Sequence, residues 1–281
     1  MILSGGARIA GVIGWPVAHS RSPRLHGYWL DRYRIDGAYV PLAVPPARLA
    51  QAIAALPALG FAGANVTVPH KEAALAAVDE ADALARRIGA VNTISVRPDA
   101  SLFGTNTDGY GLIQNLDQGA RDWPRDRPAA VLGAGGAARA VIVALADAGV
   151  PEVRLCNRTR ARAEALADEI EAPIAVAGWE VRAGALDGAG LLVNTTTLGM
   201  AGAEPLAIDL GPLPADAVVA DLVYVPLVTP LLAQAAARGL RVVDGLGMLL
   251  HQARPGFRMW FGRDPEVSAE LRRFVLQDLA R

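Results

Sequence analysis

The sequence predicts an α/β fold made of two domains. Short β-branched runs alternate with Ala- and Leu-rich stretches almost from end to end. Such alternation is typical of a mostly parallel sheet with helices on both faces. The chain has 281 residues, a length that suits two domains. Hydrophobic residues make up 52% of the sequence, so a substantial core can be buried.

The first half of the chain begins with a strand over residues 9–13. Ser22 and Pro23 follow as helix-start residues, with Ser22 predicted as the N-cap and Pro23 at the first helical position. A strand pair with a turn at Pro98 and Asp99 ends this half. The other predicted elements are strands 39–44 and 64–68, helices 46–56 and 69–78, and the paired strands 91–96 and 101–105.

The second half begins with a predicted helix over residues 110–116, after Asp108. The polar segment 117–128 follows, and its charged and Pro residues favour a linker or a surface loop. A second strand–helix series comes next, with strands 129–132, 153–156, 191–194, 218–222 and 241–243. Its helices are 136–148, 159–170, 229–238, 247–260 and 265–279.

Charge and composition exclude several classes of partner. The net charge is −1 with both signs interspersed, whereas a nucleic acid or an anionic membrane requires a concentrated basic surface. Apolar stretches such as 140–146 are far shorter than the roughly 20 residues that span a bilayer, and the N-terminus does not resemble a signal peptide. The single cysteine, Cys156, excludes an intrachain disulfide and fits a reducing compartment. We therefore expect a cytoplasmic protein that binds a small molecule.

A glycine-rich turn follows strand 129–132 and precedes an alanine-rich helix. Its sequence, Gly133-Ala134-Gly135-Gly136-Ala137-Ala138, matches the dinucleotide-binding fingerprint G-x-G-x-x-G/A in the required strand–turn–helix context. Gly133 permits the tight turn, Gly135 lets the backbone approach a pyrophosphate, and Ala138 allows close packing of helix on strand. The helix N-terminus then offers N–H donors to the phosphates.

The end of the next strand indicates which dinucleotide binds. An NAD enzyme normally places Asp or Glu there to accept from the ribose 2′-OH. Here the strand ends at Asn157-Arg158-Thr159, with Arg160 and Arg162 beyond, and guanidinium groups suit a 2′-phosphate. The residues therefore favour NADP, and the alternative is a solvated basic first turn of a helix. Thr195 ends a later strand, where it either lines the cofactor crevice or caps the strand.

Several polar segments interrupt the apolar chain, and each alone also fits a cap, a helix start or a turn. Together, and in this order around the glycine-rich turn, they resemble the shikimate dehydrogenase family from about Gly11 to Ala253. The segments are His19-Ser20-Arg21-Ser22-Pro23, Asn65-Val66-Thr67-Val68-Pro69-His70-Lys71, Ala90-Val91-Asn92-Thr93, Asn106-Thr107-Asp108-Gly109, Asp221-Leu222-Val223-Tyr224, Asp244-Gly245-Leu246-Gly247-Met248 and His251-Gln252-Ala253.

The resemblance implies two α/β domains separated by a cleft. Residues 1–109 would form a substrate-binding domain, completed by C-terminal helices over 246–281. Residues 110–245 would form the inserted, Rossmann-type NADP-binding domain.

The resemblance also implies a role for each matching residue. Lys71 and Asp108 match the catalytic pair, and Gly27 departs from the family because Asn commonly follows His26 there. The implied substrate contacts are Ser20, Ser22 and Tyr224 to a carboxylate, and Thr67, Asn92 and Gln252 to ring hydroxyls. The implied cofactor contacts are Gly133, Ala134, Gly135, Gly136, Ala137, Asn157, Arg158, Thr159, Arg162, Thr195, Gly245 and Met248.

The implied activity is the reversible, NADP(H)-dependent reduction of 3-dehydroshikimate to shikimate, a step in aromatic amino-acid biosynthesis. It needs no metal, no nucleic acid and no membrane, and the enzyme would be a monomer or a homodimer. One alternative is a quinate/shikimate dehydrogenase that uses NAD or both cofactors, against which the absence of an acidic residue after Cys156 argues. Another is a non-catalytic NADP-binding sensor, which would have no reason to keep Lys71 and Asp108.

Overall fold

The computed structural model describes residues 2–277. The chain divides into two compact units, as the sequence predicts for the fold class. Unit 1 comprises Met1–Thr107 and Gln252–Arg281, and unit 2 comprises Asp108–His251. Among the described residues, no helix is both long enough and apolar enough to cross a membrane.

Each unit is built on its own six-stranded sheet. The strands of unit 1 are β1 (Arg8–Gly14), β2 (Gly37–Ala43), β3 (Phe61–Val66), β4 (Glu80–Ala81), β5 (Thr93–Val96) and β6 (Leu102–Thr105). The strands of unit 2 are β7 (Ala129–Leu132), β8 (Val153–Asn157), β9 (Ile174–Gly178), β10 (Leu191–Asn194), β11 (Val218–Asp221) and β12 (Arg241–Val243).

Helices alternate with these strands along the chain. Those preceding β7 are α1 (Ser22–Arg32), α2 (Leu49–Ala55), α3 (Lys71–Leu75), α4 (Ala83–Ile88) and α5 (Asp108–Gly119). Those following it are α6 (Gly136–Asp147), α7 (Arg160–Glu169), α8 (Pro230–Ala237), α9 (Gly245–Phe261) and α10 (Ala269–Leu276). Helix α5 begins unit 2, and the chain returns to unit 1 within α9. The predicted last helix reached residue 279, and its final two residues lie outside the described part of the chain.

The sheet of unit 1 has the order β2-β1-β3-β5-β6-β4. Strand β1 pairs in parallel with β2 and β3, whereas β5 runs antiparallel to both β3 and β6. Five of the six strands therefore run in the same direction, which confirms the mostly parallel sheet that the sequence predicts, and β5 is the exception. The reason is the tight hairpin of β5 and β6, in which the Arg97 N–H donates to the Ser101 carbonyl at 2.9 Å. That hairpin was itself predicted, and it reverses the chain direction.

The start of α1 corrects the predicted N-cap. The helix begins at Ser22, the residue before it is Arg21, and no side chain caps the helix. Ser22 is therefore inside the first turn rather than the N-cap. Its backbone N–H donates to the Ser20 hydroxyl at 3.3 Å, and its side chain is buried.

The sequence analysis did not predict three elements, which are β4, β9 and α4. Strand β4 has two residues and β9 is an edge strand with half-buried positions, so neither has a clear period-2 pattern. The sequence does contain residues that mark the two ends of helix α4. Asp82 caps its start by accepting a hydrogen bond from the Ala85 N–H at 2.7 Å. Its C-cap residue is Gly89, in the left-handed conformation. Such a cap and glycine mark a short helix.

The sheet of unit 2 is entirely parallel, in the order β12-β11-β10-β7-β8-β9. Read from β9, this is the doubly wound order of dinucleotide-binding domains. The connections reverse direction at β7, which lies between β8 and β10. Ligands of such sheets bind at the carboxyl ends of the strands beside that reversal.

The polar segment 117–128 lies within unit 2. Residues 117–119 form the last turn of α5, and residues 120–128 form a surface loop rather than a linker between the units. Its Trp123 is buried, and the indole N–H donates to the Asp117 carboxylate at 2.9 Å. Arg125 forms an ion pair with the same carboxylate. The segment is therefore anchored to the last turn of α5.

Candidate active site

The glycine-rich turn of unit 2 has the geometry of a phosphate cradle. Gly133 has a φ of +108°, and a Cβ at this position would lie 2.6 Å from the Thr195 hydroxyl oxygen. Only glycine fits there. Gly135 precedes α6, and a Cβ on it would meet no atom within 4 Å. The open space lies at the helix N-terminus, where the first turn has N–H donors without intrahelical partners. Ala138 is fully buried, which allows the close helix–strand packing predicted for it.

Thr195 shapes this turn through its own hydrogen bond. Its hydroxyl donates to the Leu132 carbonyl at 2.7 Å, and its N–H donates to the same oxygen at 2.9 Å. These bonds tie the end of β10 to the end of β7. Thr195 therefore caps the strand end, which was the alternative reading of this residue, and it does so directly against the glycine turn.

Two of the three arginines in the segment after β8 expose guanidinium groups that no acidic side chain in the described part of the chain pairs with. Arg160 is paired with Glu164 one helical turn away, at 2.7 Å. Arg158 and Arg162 are exposed, and within residues 2–277 their side chains have no hydrogen bond or ion pair. The Asn157 amide donates to the Thr159 carbonyl at 2.8 Å and so fixes the turn between them. These residues fit a phosphorylated ribose at the end of β8.

Gly245 and Met248, expected to contact the cofactor, lie in the first turn of α9. A Cβ on Gly245 would lie 2.3 Å from the Leu222 carbonyl oxygen, so packing alone requires glycine at this position. Met248 is buried, with 8% of its surface exposed. The Asn115 amide donates to the Asp244 carbonyl at 2.7 Å, which holds the start of the helix.

Asp108 and Tyr224 also belong to unit 2. Asp108 is the first residue of α5 and is buried, and Tyr224 follows β11 and is half-buried. The carboxylate of Asp221 just before it accepts hydrogen bonds from Thr229 at 2.6 Å and Asn194 at 2.9 Å. Burial raises the pKa of this carboxyl. Asp221 therefore holds the loop that carries Tyr224.

In unit 1, predicted substrate residues follow the carboxyl ends of neighbouring parallel strands. Ser20 and Ser22 follow β1, and Thr67 follows β3. The Thr67 N–H donates to the Ile13 carbonyl at 2.9 Å, which joins the two strand ends. Its methyl group packs so closely on Gly14 that a Cβ there would lie 2.6 Å away. Ser20 and Thr67 are half-buried.

Lys71 is the first residue of α3 and is half-buried. It is also the only lysine in the chain, since all other basic residues among the 27 Lys and Arg are arginine. A guanidinium stays protonated in proteins, whereas an ammonium can release its proton, so arginine cannot replace lysine where a proton must be transferred. This compositional signal could have singled out Lys71 from the sequence without any resemblance.

Asn92 and Gln252 are joined in a buried hydrogen-bond network of unit 1. The Asn92 Oδ1 accepts from the Thr107 N–H at 2.9 Å and from the Thr93 hydroxyl at 2.8 Å. Its Nδ2 donates to the Thr107 hydroxyl at 3.1 Å and to the Gln252 Oε1 at 3.3 Å. The Thr107 hydroxyl donates in turn to the Gln252 carbonyl at 2.8 Å. Thr93 and Thr107 lay inside the polar segments but were not singled out from the sequence.

Family models match three parts of the chain. They are the shikimate dehydrogenase substrate binding domain over residues 12–94, the shikimate/quinate 5-dehydrogenase domain over 120–196, and the shikimate 5′-dehydrogenase C-terminal domain over 245–269.

Relatives and solved structures match over nearly the full length. The shikimate dehydrogenase (NADP(+)) of Paramagnetospirillum magneticum is 64% identical over 98% of this chain and 100% of its own length. The shikimate 5-dehydrogenase of Thermus thermophilus, solved with NADP(H) and shikimate, is 38% identical with a TM-score of 0.86, covering 96% of this chain and 99% of its own. The quinate dehydrogenase of Corynebacterium glutamicum, solved with NAD, is 30% identical with a TM-score of 0.87, covering 98% and 99%. This chain therefore belongs to the shikimate dehydrogenase family.

Proposed function

We propose that this chain catalyses the reversible, NADP-dependent reduction of 3-dehydroshikimate to shikimate. The observation that supports it most is the connected network of neutral hydrogen-bonding groups in unit 1, which ends on Asn92 and Gln252. A small polyol acid needs many neutral donors and acceptors. A site built to bond hydroxyls also rejects analogues that leave its buried groups unpaired.

The proposed cofactor is NADP, held by unit 2. The pyrophosphate would lie against Gly135 and the N-terminus of α6, where the backbone leaves open space. Arg158 and Arg162 would bind the 2′-phosphate, since each is exposed and uncommitted and no carboxylate ends β8. When bound, the reduced cofactor supplies the hydride.

The proposed roles on the substrate side follow from the chemistry of each group. Ser20, Ser22 and Tyr224 hold the carboxylate, and Thr67, Asn92 and Gln252 hold the ring hydroxyls. As negative charge grows on the carbonyl oxygen, the Lys71 ammonium stabilises it and donates a proton to it. Asp108 orients that ammonium. In the reverse direction Lys71 accepts the proton of the shikimate hydroxyl.

We propose in addition that the enzyme works in the cytoplasm as a monomer or a homodimer. Its only cysteine, Cys156, is buried, and burial raises the pKa of the thiol to about 11. Such a thiol is unreactive, which suits a structural residue in a reducing compartment.

Steady-state assays of the purified chain test this function. Shikimate and quinate are each offered with NADP and with NAD, and formation of the reduced cofactor is followed by absorbance. We expect the highest kcat/KM for shikimate with NADP. A preference for quinate with NAD would favour the second activity, for which the similarity to the Corynebacterium glutamicum enzyme is the supporting observation. No turnover of either substrate with cofactor bound would favour a sensor.

A further inference from the structure

The loop after β11 carries Tyr224, a proposed contact to the substrate carboxylate. The chain has no helix or strand from Leu222 to Thr229. Asp221 is the last residue of β11 and stands at the start of this loop, and Thr229 caps α8 at its end. Both side chains are buried, with 1% and 0% of their surface exposed. Two buried polar side chains therefore mark the ends of the loop that presents Tyr224.

The Asp221 carboxylate closes this loop, because it accepts hydrogen bonds from both ends. Its Oδ1 accepts from the Val223 N–H, two residues further on, at 3.0 Å. Its Oδ2 accepts from the Thr229 hydroxyl at 2.6 Å. In the first bond the side chain takes the part that a backbone carbonyl plays in a turn. One side chain thus holds the backbone next to Tyr224 and the point where the loop enters α8.

The donors around Asp221 suit a carboxylate and no other group of its size. Asn194 donates to the Oδ1 at 2.9 Å, which brings a third donor to the same side chain. A carboxylate only accepts, whereas an amide would turn an N–H toward one of these donors. Within residues 2–277 no basic side chain pairs with Asp221, and burial raises the pKa of the carboxyl. The buried charge is therefore offset by hydrogen bonds from neutral groups alone.

The neighbouring turn on the cofactor side does not depend on Asp221. The Asn194 Oδ1 accepts from the Thr196 N–H at 3.0 Å and from its hydroxyl at 2.7 Å. The Asn194 Nδ2 also donates to the Leu198 carbonyl at 3.2 Å. These bonds hold the turn after β10, whose Thr196 methyl group would lie 3.0 Å from a Cβ at Gly133. A change at Asp221 should therefore act on the loop of Tyr224 and spare the dinucleotide.

Tyr224 itself relies on the backbone that carries it. Its side chain is half-buried, so packing in the core does not fix its position. On its N-terminal side, the backbone is held by the bond from Val223 to Asp221. On its C-terminal side, the Val225 carbonyl accepts from the Ala201 N–H at 2.8 Å. If the bond to Asp221 is lost, the second bond keeps the course of the loop while the tyrosine gains freedom.

We propose that Asp221 is a positioning residue for substrate binding, which closes the loop 222–229 and so holds the Tyr224 hydroxyl where it meets the substrate carboxylate. This inference rests on the proposed function, because the carboxylate concerned is that of shikimate. It assigns Asp221 an effect on the KM for shikimate, although this residue is not proposed to touch the substrate or the cofactor.

Asp221→Ala tests the proposal, since it removes both bonds that close the loop. We expect the KM for shikimate to rise about threefold to tenfold, which is part of what the hydrogen bond from Tyr224 to a charged group can contribute. The kcat should stay within about twofold of the wild type, because Tyr224 is proposed to meet the carboxylate and not the reacting carbonyl. The dissociation constant of NADP should also stay within about twofold, because the turn after β10 keeps its own bonds.

Asp82→Ala is the matched control. Asp82 accepts from the same two kinds of donor, the Ala85 N–H at 2.7 Å and the Thr105 hydroxyl at 2.5 Å, but it lies in unit 1 and caps α4. Both variants should have a lower melting temperature, and only Asp221→Ala should have a higher KM. An equal rise of the KM in both variants would show a general effect of lost stability and would overturn the proposal.

Tyr224→Phe supplies the second arm of the experiment. If Asp221 acts through the Tyr224 hydroxyl, Asp221→Ala should change the KM by less than about twofold in the Tyr224→Phe background. Independent, multiplying effects would overturn the proposal, and so would a wild-type KM in Asp221→Ala.

Asp221→Asn decides the matter if the alanine variant does not fold. It keeps the acceptor for Val223 but turns an N–H toward the Thr229 hydroxyl, so the KM should rise about twofold to fivefold, and a wild-type KM would overturn the proposal. A wild-type chain that does not turn over shikimate would instead overturn the proposed function, and this inference with it.

Discussion

The two units form their candidate sites by opposite means. In unit 1 the site is made of buried side chains whose donors and acceptors satisfy one another, as in the chain from Tyr39 to Asn92. In unit 2 the candidate site is a glycine-rich turn, in which Gly133 and Gly135 have no side chain. The exposed Arg158 and Arg162 lie in the segment after the next strand.

The difference matches the two kinds of ligand. A phosphate group accepts hydrogen bonds from backbone N–H groups at a helix N-terminus. A site of this kind therefore needs only a backbone that no side chain covers. A ring with several hydroxyls is distinguished from its analogues by fixed donors and acceptors, which need a rigid interior. A change at the glycines or arginines of unit 2 should therefore affect the dinucleotide, and a change at the buried polar side chains of unit 1 should affect the substrate. The binding predictions below test that separation.

The largest effect on ligand binding is expected from Gly135→Val. No protein atom lies within 4 Å of the added Cβ, so the fold should tolerate the change. The side chain would fill the space proposed for the pyrophosphate and remove at least two hydrogen bonds to a charged group. NADP affinity should fall about a hundredfold or more, as measured by calorimetry. The control Gly184→Val, also in open space in unit 2, should leave NADP binding intact. Loss of shikimate binding in Gly135→Val would break the separation.

A smaller loss is expected from Arg158→Ala. Removing an uncommitted guanidinium from a 2′-phosphate should weaken NADP about tenfold to a hundredfold and NAD very little. Arg160→Ala is the matched control, because Arg160 is already paired with Glu164 on the same helix. Equal weakening of both dinucleotides would mean that Arg158 acts on the structure rather than on the phosphate.

On the substrate side, Ser22→Ala should raise the KM for shikimate about tenfold, since its hydroxyl is proposed to donate to a carboxylate. Ser22 does not cap α1, so the melting temperature should stay close to that of the wild type. Ser268→Ala is the converse control. Ser268 caps α10 by accepting from the Leu271 N–H at 3.1 Å, so its loss should cost about 1 kcal/mol of stability at an unchanged KM. A lower melting temperature with a wild-type KM in Ser22→Ala would refute the substrate role.

The smallest effect near neutral pH comes from His26. Burial lowers the pKa of its imidazole to about 3, from 6.5. Below pH 6.5 the unfolded chain takes up a proton that the folded chain refuses, so stability is full above that pH and falls as the pH drops toward 3. The free energy of unfolding should decrease by about 2 kcal/mol between pH 7.5 and pH 5 from this residue alone. In His26→Phe, denaturant unfolding should show a pH dependence smaller by that amount. An identical pH dependence would show that folding does not lower the pKa of His26.

The sequence predicted unit 2 better than unit 1. The strands β7 and β10 lie where their apolar runs indicated, because a parallel strand buried on both faces is a continuous apolar run. In unit 1 the antiparallel placement of β5 depends on long-range pairing with β3, which no local pattern contains. The two-residue β4 is too short to show a period.

Among the site residues, the glycines could be predicted because backbone geometry limits what fits at a tight turn. Tyr39 could not, since a tyrosine in an apolar strand is read as core. Its hydroxyl donates to Asn65, which is 26 residues away in the chain and meets it only in the folded sheet. Lys71 could be singled out from composition alone, because it is the only lysine in the sequence.

The most direct measurement of the central claim is the turnover number of Lys71 variants with shikimate and NADP. A proton donor acts mainly in the transition state, where charge builds on the substrate oxygen. Lys71→Ala should lower kcat by about 10²–10⁴-fold while shikimate still binds within about tenfold of the wild-type affinity. Lys71→Arg should be nearly as slow, because a guanidinium keeps the charge but does not release its proton. Asp108→Asn should also be slow, and the double variant no slower than about tenfold below Lys71→Ala, since paired groups act as a unit. Near-wild-type turnover in Lys71→Ala, or losses that multiply in the double variant, would contradict the account.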